Sequence, residues 1–172
     1  ALAAAGAGDE IEAAQRALLR TGGWTGYPLA SWNDVPERTQ ADVVALFDKT
    51  LFEIGAITEM EYVLRKAQQF IAGGWIQGTN AQVAESRRLV FLGDPDADCF
   101  CSIGAIGRAV LQQETAEVLP YWTQAVLSAC RETLPLPIHD WNDARGRTQA
   151  QVLAQFDVWI AAAHADKYWG LE

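Results

Sequence analysis

The sequence predicts an all-α protein, a bundle of about six helices with an internal, partial duplication and at most a short β-hairpin near residues 79–92. Three observations carry that expectation. Apolar residues return at three- and four-residue intervals in successive stretches, residues that cap or open helices stand at the head of those stretches, and one string occurs twice. Trp32-Asn33-Asp34, Arg38-Thr39-Gln40-Ala41 and Phe47-Asp48 return as Trp141-Asn142-Asp143, Arg147-Thr148-Gln149-Ala150 and Phe156-Asp157. With residues 32–51 laid over 141–160, eleven of twenty positions are identical, far beyond chance.

The first helix opens at Asp9 with Glu12 three residues on, a pairing that satisfies orphan amides. It carries Ile11, Ala14 and Leu18 on one face and stops at Gly22-Gly23. Gly26 and Pro28 then make a short structured loop. Thr39 with Asp42, and Thr148 with Gln151, read as N-caps of two homologous helices. The inward face of the first is Val43, Val44, Phe47, Leu51 and Ile54. That of the second is Val152, Leu153, Phe156, Trp159, Ile160 and Ala163. Pro36 and Gly146 in the two approaches place both Trp-Asn-Asp triplets in loops.

Thr58 with Glu61 opens a further helix, with Ile57 placed to staple onto Tyr62. Met60, Val63, Leu64, Ala67, Phe70 and Ile71 give it the cleanest apolar face in the chain, and Gly73-Gly74 stop it. Gly73-Gly74-Trp75-Ile76-Gln77-Gly78 echoes Gly22-Gly23-Trp24-Thr25-Gly26 at an offset of 51, so helix, Gly-Gly-Trp turn and Trp-Asn-Asp helix occur twice. The second unit is expanded in its middle. There Arg88-Leu89-Val90-Phe91-Leu92 has strand character, bounded by Gly93-Asp94-Pro95. Cys99, Ile103, Ile106 and Val110 predict a helix over about Phe100 to Gln112, and Gly104 and Gly107 inside it imply that another backbone packs closely. Pro120 suits the first turn of a helix with Trp122, Ala125, Val126 and Ala129 inward, ended by Pro135 and Pro137.

A chain of 172 residues suits one globular domain over 1–172, with internal units at 9–55 and 58–167. Half the residues are hydrophobic and seven are Trp, but no stretch approaches the roughly 20 apolar residues that span a bilayer, so a soluble protein with no membrane partner is expected. The net charge of −9 reflects 13 basic against 22 acidic residues, and without a basic stripe nucleic acid is not an expected partner. Cys99, Cys101 and Cys130 are an odd number in apolar surroundings, which favours a reducing, cytoplasmic home. The opening Ala-Leu-Ala-Ala-Ala-Gly-Ala-Gly suits either a trimmed start or the tail of a removed targeting segment. Leu171-Glu172 suit a cloning scar and carry no weight.

Three motifs occur in order: Gly74-Trp75-x-Gln77-Gly78, Cys101-x-x-Gly104-Ala105-Ile106, and Ile138-x-x-Trp141-Asn142-Asp143 with Thr148, Val152 and Phe156. Together they resemble the DUF6197 family of uncharacterised bacterial and phage proteins over roughly residues 60–160. Residues 10–55 resemble only the outer parts of that pattern and lack the Cys-x-x-Gly-Ala-Ile segment, which implies a partial copy. The resemblance implies no activity.

Among candidate chemistries, Asn33-Asp34 and Asn142-Asp143 are short polar side chains before a helix, able to hold a polar ligand but equally suited to bonding loop amides. Cys99 and Cys101 near a helix start admit an activated thiolate with His139 as base, although buried cysteine usually behaves as a small hydrophobe. Cys-x-Cys with one distant Cys and two isolated His lacks zinc spacing. Asp94-Pro95-Asp96-Ala97-Asp98 starts like a calcium loop but has Cys99 where Gly belongs and Ala105 where the bidentate Glu belongs. The Gly-Gly-Trp pairs follow no strand, so they read as helix stops rather than phosphate cradles. No metal or cofactor is therefore expected.

The leading expectation is a non-catalytic helical module that binds a protein partner or a small ligand, or assembles as a homo-oligomer. The alternative is an enzyme or small-ligand-binding protein whose pocket is built from Trp75, Gln77, Cys101, Asn142 and Asp143, with Trp141 alongside. That alternative requires these side chains to converge.

Overall fold

A computed structural model describes residues 17–18, 20–21, 36–112 and 119–165, with side chains from 119 to 122 excepted. The capping pair Asp9 and Glu12, the turn Gly22-Gly23-Trp24 and the triplet Trp32-Asn33-Asp34 lie outside the described residues. The chain divides into two compact units, Ala1–Thr58 and Glu59–Glu172.

In the first unit, Ala17, Leu18, Arg20 and Thr21 are helical, and helix α1 spans Gln40–Glu53. The Thr39 hydroxyl accepts from the Asp42 amide at 3.2 Å while the Asp42 carboxylate accepts from the Thr39 amide at 2.8 Å, so two orphan donors of the first turn are satisfied reciprocally. Those bonds hold the Asp42 carboxyl below its ordinary pKa. The buried face differs from the expected one. Leu46 packs with Leu18 and Val43, Thr50 is buried with its hydroxyl donating to the Leu46 carbonyl at 2.8 Å, and Val44, Phe47 and Ile54 are exposed. Val43-Leu46-Thr50 and Val44-Phe47-Leu51-Ile54 are adjacent stripes of one helix, and periodicity establishes a helix without saying which stripe is covered.

In the second unit α2 spans Glu59–Gly73, and Met60, Val63, Leu64, Ala67 and Ile71 are buried as the spacing predicts. Fully covering a Leu or Ile side chain contributes about 1.5–3 kcal/mol each, so this face is the main apolar support of the unit. Helix α3 (Ser102–Leu111) and helix α6 (Gln149–Ala165) pack against α2, and helix α4 (Leu119–Glu132) packs on α3. Val152, Phe156, Trp159 and Ala163 face inward from α6 as expected, with the Phe156 and Trp159 rings edge to face at 4.8 Å. The Thr148 cap matches that of Thr39: its amide donates to Gln151 Oε1 at 3.0 Å and its hydroxyl accepts from the Gln151 amide at 3.3 Å. The phenylalanines at matching places of the repeated string part company, since Phe156 is fully buried and Phe47 is 46% exposed.

Glu61, in the first turn of α2, is fully buried, and Arg65 and His164 engage its carboxylate at 2.7 and 3.0 Å. A carboxylate removed from water needs such partners. The cap spacing alone does not show them.

The expected hairpin is part of a small antiparallel sheet of β1 (Ala81–Val83), β2 (Arg88–Leu89) and β3 (Cys99–Phe100), in the order β2-β1-β3. Gln82 pairs with Leu89 on one side and Cys99 on the other. Cys99 and Phe100 therefore lie in a strand and not on the helical face that their spacing suggested, because β1 supplies ladder partners for this stretch. After it, α3 starts two residues later than expected. A second difference concerns the triplet of the second unit. Trp141 and Asn142 belong to a five-residue helix, α5 (Ile138–Asn142), which Pro137 opens with φ −50° and Asp143 closes.

The glycines of α3 behave as their cost implied. A Cβ on Gly104 would overlap the carbonyl oxygen and carbon of Asn80, so the loop before β1 lies directly on the helix. Gly73, by contrast, has nothing within 4 Å of its Cβ position. Gly104→Ala is expected to lower the free energy of unfolding by about 3 kcal/mol, at the upper end for forced overpacking, because backbone cannot yield as a flexible side chain does. Gly73→Ala is expected to be neutral or stabilising by up to about 1 kcal/mol. Urea midpoints of the two variants check both.

Candidate functional site

The residues singled out in the second triplet converge at the junction of three segments: the turn after α2, the start of α3 and the end of α5. Asn142, only 1% exposed, is the centre. Its Oδ1 accepts from the Trp75 indole N–H at 3.0 Å, from the Ser102 amide at 3.1 Å and from the Ser102 hydroxyl at 2.8 Å. Its Nδ2 donates to the Ile76 carbonyl at 3.3 Å and to Asp143 Oδ1 at 2.7 Å. Both donors and both lone-pair directions of the amide are thus engaged by the protein itself.

The neighbours close the arrangement. Gln77 Nε2 donates to the Asn142 and Ala144 carbonyls at 2.9 and 3.2 Å, which satisfies oxygens at the C-terminal end of α5. Asp143 Oδ1 also accepts from the Gly78 amide at 3.0 Å, and Gly78 has φ +76°, a left-handed conformation that glycine adopts without strain. Trp141 is buried with its ring tilted against that of Trp159 at 6.2 Å, while the Arg147 guanidinium lies 4.0 Å over the Trp141 ring and donates from Nε to the Trp141 carbonyl at 2.9 Å. The Trp-Asn-Asp…Arg spacing is explained here by packing and hydrogen bonding. Trp75 and Gln77, Asn142 and Asp143 are brought together as the alternative reading requires, but their polar groups face one another.

Cys101 caps α3. Its Sγ accepts from the Gly104 amide at 3.3 Å and donates to Asn80 Oδ1 at 3.4 Å. Burial pushes this thiol up more than the Gly104 and Ile103 amides pull it down, and the charge of Asp143 adds to the rise. Cys99 is raised by burial and then by Asp98, and Cys130 is raised strongly by burial alone. A helix N-terminus alone does not make an activated thiolate here. His139, the residue considered as its base, sits on α5 with Nε2 3.1 Å from Asp140 Oδ1. In the stretch that starts like a calcium loop, Asp94 and Asp96 pair with Arg88 at 3.5 and 3.3 Å, and Asp98 accepts from the Ala84 amide at 2.7 Å.

A pocket of about 380 Å³ opens beside the N-terminal end of α5. Gln124, Leu127, Ser128 and Arg131, spaced i, i+3, i+4, i+7 on α4, form one wall. Ile103 of α3 and the Pro137-Ile138-His139 entry to α5 form the other.

Sequence reading missed Ser102, Arg147, Gln149 and this pocket wall as parts of one construction. Gln149 Nε2 donates to the Ile71 carbonyl at 2.6 Å, closing the end of α2. Arg147 and Gln149 stand in the repeated string, so their identity in both copies was the available signal; the stripe on α4 had none beyond its helical spacing.

A family model described as "Family of unknown function (DUF6197)" matches residues 1–52 and 57–162. No curated protein and no solved structure matches the chain significantly.

Asn142→Ala strands the Trp75 indole and the Ser102 donors, at about 1–3 kcal/mol for each buried unsatisfied group. A loss of about 3–5 kcal/mol is expected, read as a lower urea midpoint with an upfield move of the Trp75 indole proton resonance. For the thiols, raised pKa values mean less thiolate at pH 8 than an ordinary cysteine carries. Mass spectrometry of iodoacetamide time courses should show all three slower than free cysteine, with Cys130 modified only on unfolding; fast labelling of Cys101 would restore the nucleophile reading.

Proposed function

The chain belongs to the DUF6197 family, whose function is not established, and from that premise we propose that it is a non-catalytic helical module that binds a small ligand or a partner protein, or pairs with a second copy of itself. One observation carries this reading: the polar groups of the best catalytic candidate are spent within the protein, with Trp75 and Asp143 bonded to the buried Asn142 side chain, Gln77 to the Asn142 and Ala144 carbonyls, and Cys101 to Asn80. A nucleophile needs an ionisable group aimed at a substrate, and the Cys101 thiol is buried, bonded to Asn80 and raised in pKa by its burial. The Trp-Asn-Asp triplet is then a scaffold whose work is to hold α5 against α3, and the binding surface is the cleft beside the N-terminal end of α5. Pockets of this size lined by apolar groups with a few convergent polar ones are the ordinary form of a small-ligand site.

Related proposals complete the picture. The first unit is a partial copy of the second, supported by the two-block family match and by the same capping geometry at Thr39 and Thr148. A reducing cytoplasm, bacterial or of a phage-infected cell, is the setting in which three free thiols persist. Among the described residues no helix is long and apolar enough to cross a membrane.

The test is incubation of the full chain with a deproteinised metabolite extract, followed by mass spectrometry of the bound and free fractions over time. A binding module retains a compound unchanged in stoichiometric amount. Product that accumulates in proportion to time and to chain concentration, and disappears in Gln77→Ala, would overturn the reading in favour of an enzyme at the Trp75–Asn142 junction.

A further inference from the structure

The chemistry of the cleft between α4 and α5 narrows what it takes. This inference rests on the binding-module reading and deepens it. The floor is aliphatic: Ile138 is buried, and Ile103 and Leu127 are half-buried with their remaining surface toward the cleft. The neighbouring stripe of α4, Val126 and Cys130, is committed to the core, and the stripe through Leu127 and Arg131 lines the cleft.

The rim carries one uncompensated cation. Arg131 lies in the last turn of α4, and its guanidinium has no ion pair among the described residues. His139 lies across the cleft with its Nε2 3.1 Å from Asp140 Oδ1. Gln124 and Ser128 supply neutral hydrogen-bonding groups beside it. A single guanidinium on a chain of net charge −9 suits a monoanion better than a dianion such as a phosphate monoester. A planar guanidinium fork matches a carboxylate in two parallel hydrogen bonds. At about 380 Å³ the space is near the lower end of the usual range for ligand pockets, which suits a small ligand.

We propose that the α4–α5 cleft is a binding site for a small monocarboxylic acid with an unbranched aliphatic body, its carboxylate on Arg131 and its chain on Ile103, Leu127 and Ile138. The triplet helix takes part indirectly: Asn142 anchors one end of α5, and Ile138, one turn before it, forms the floor.

The test is a titration of the isotope-labelled full chain with octanoate, followed by amide chemical shifts, with octanamide as the uncharged isostere and hexyl phosphate as the dianionic competitor. Octanoate is expected to shift the amides of Ile103, Leu127, Arg131 and Ile138 saturably, with a Kd on the order of 1 mM for a ligand of this size. Octanamide should bind about tenfold more weakly, and Arg131→Gln should weaken octanoate about tenfold while leaving octanamide unchanged. Arg131 is exposed, so its replacement leaves the fold intact. Ser128→Tyr, also at an exposed position, should fill the cleft and abolish binding of both. Equal binding of acid and amide, indifference to Arg131→Gln, saturable shifts elsewhere, or tighter binding of hexyl phosphate each overturns the assignment. A null titration combined with an unchanged metabolite retained from the extract sinks this site and leaves the binding-module reading standing.

Discussion

Asn142 holds together segments that are 40 and 67 residues away in sequence, with Ser102 on one and Trp75 on the other. Its side chain is polar and almost wholly out of water, so every bond it lacks would cost about 1–3 kcal/mol, and the surrounding backbone is shaped to supply each one. The turn after α2 must bring an indole N–H and a carbonyl to it, and α3 must begin with a residue whose amide and hydroxyl both point at it. Short as it is, α5 has a defined direction because both of its ends are constrained, by Pro137 at the start and by the Gln77 bonds at the finish.

That constraint connects the two ends of α5. One end of the helix is tied into a self-satisfied polar junction, and the other offers Ile138 and His139 to open space beside α4. A buried polar network of this kind specifies one arrangement, since any slip of α5 leaves several groups unpaired together. The cleft inherits its shape from that rigidity. Preorganised walls matter for a small ligand, whose few contacts leave little binding energy to order a mobile site.

How much of this was legible in the sequence depends on the range of the interaction. Local signals read well: the capping boxes at Thr39 and Thr148, the α2 face from Met60 to Ile71, and the close approach implied by Gly104 all follow from spacing and residue type. The choice of buried stripe on α1 did not, because adjacent stripes have similar apolar content and only a neighbour decides between them. Cys99 and Phe100 fit a helical pattern and were claimed by β1, which offers backbone partners that periodicity ignores. For the site, the motif letters Trp75, Gln77, Asn142 and Asp143 pointed to one another correctly, while their hydrogen-bond saturation and the cleft beside α5 depend on side-chain orientation, which spacing does not encode.

The bonds that finish α2 come from far along the chain: Gln149 reaches the Ile71 carbonyl across 78 residues, and Gln68 reaches Asp157 across 89. During synthesis, at roughly 5–20 residues per second, a span of this length takes on the order of 4–18 s to emerge after α2. Through that interval the Leu64-Ala67-Ile71 face has no α6 to cover it, and local helix formation cannot hide it. The packing of α6 on α2 is therefore the later of the two helix contacts to become available during synthesis, after that of α3.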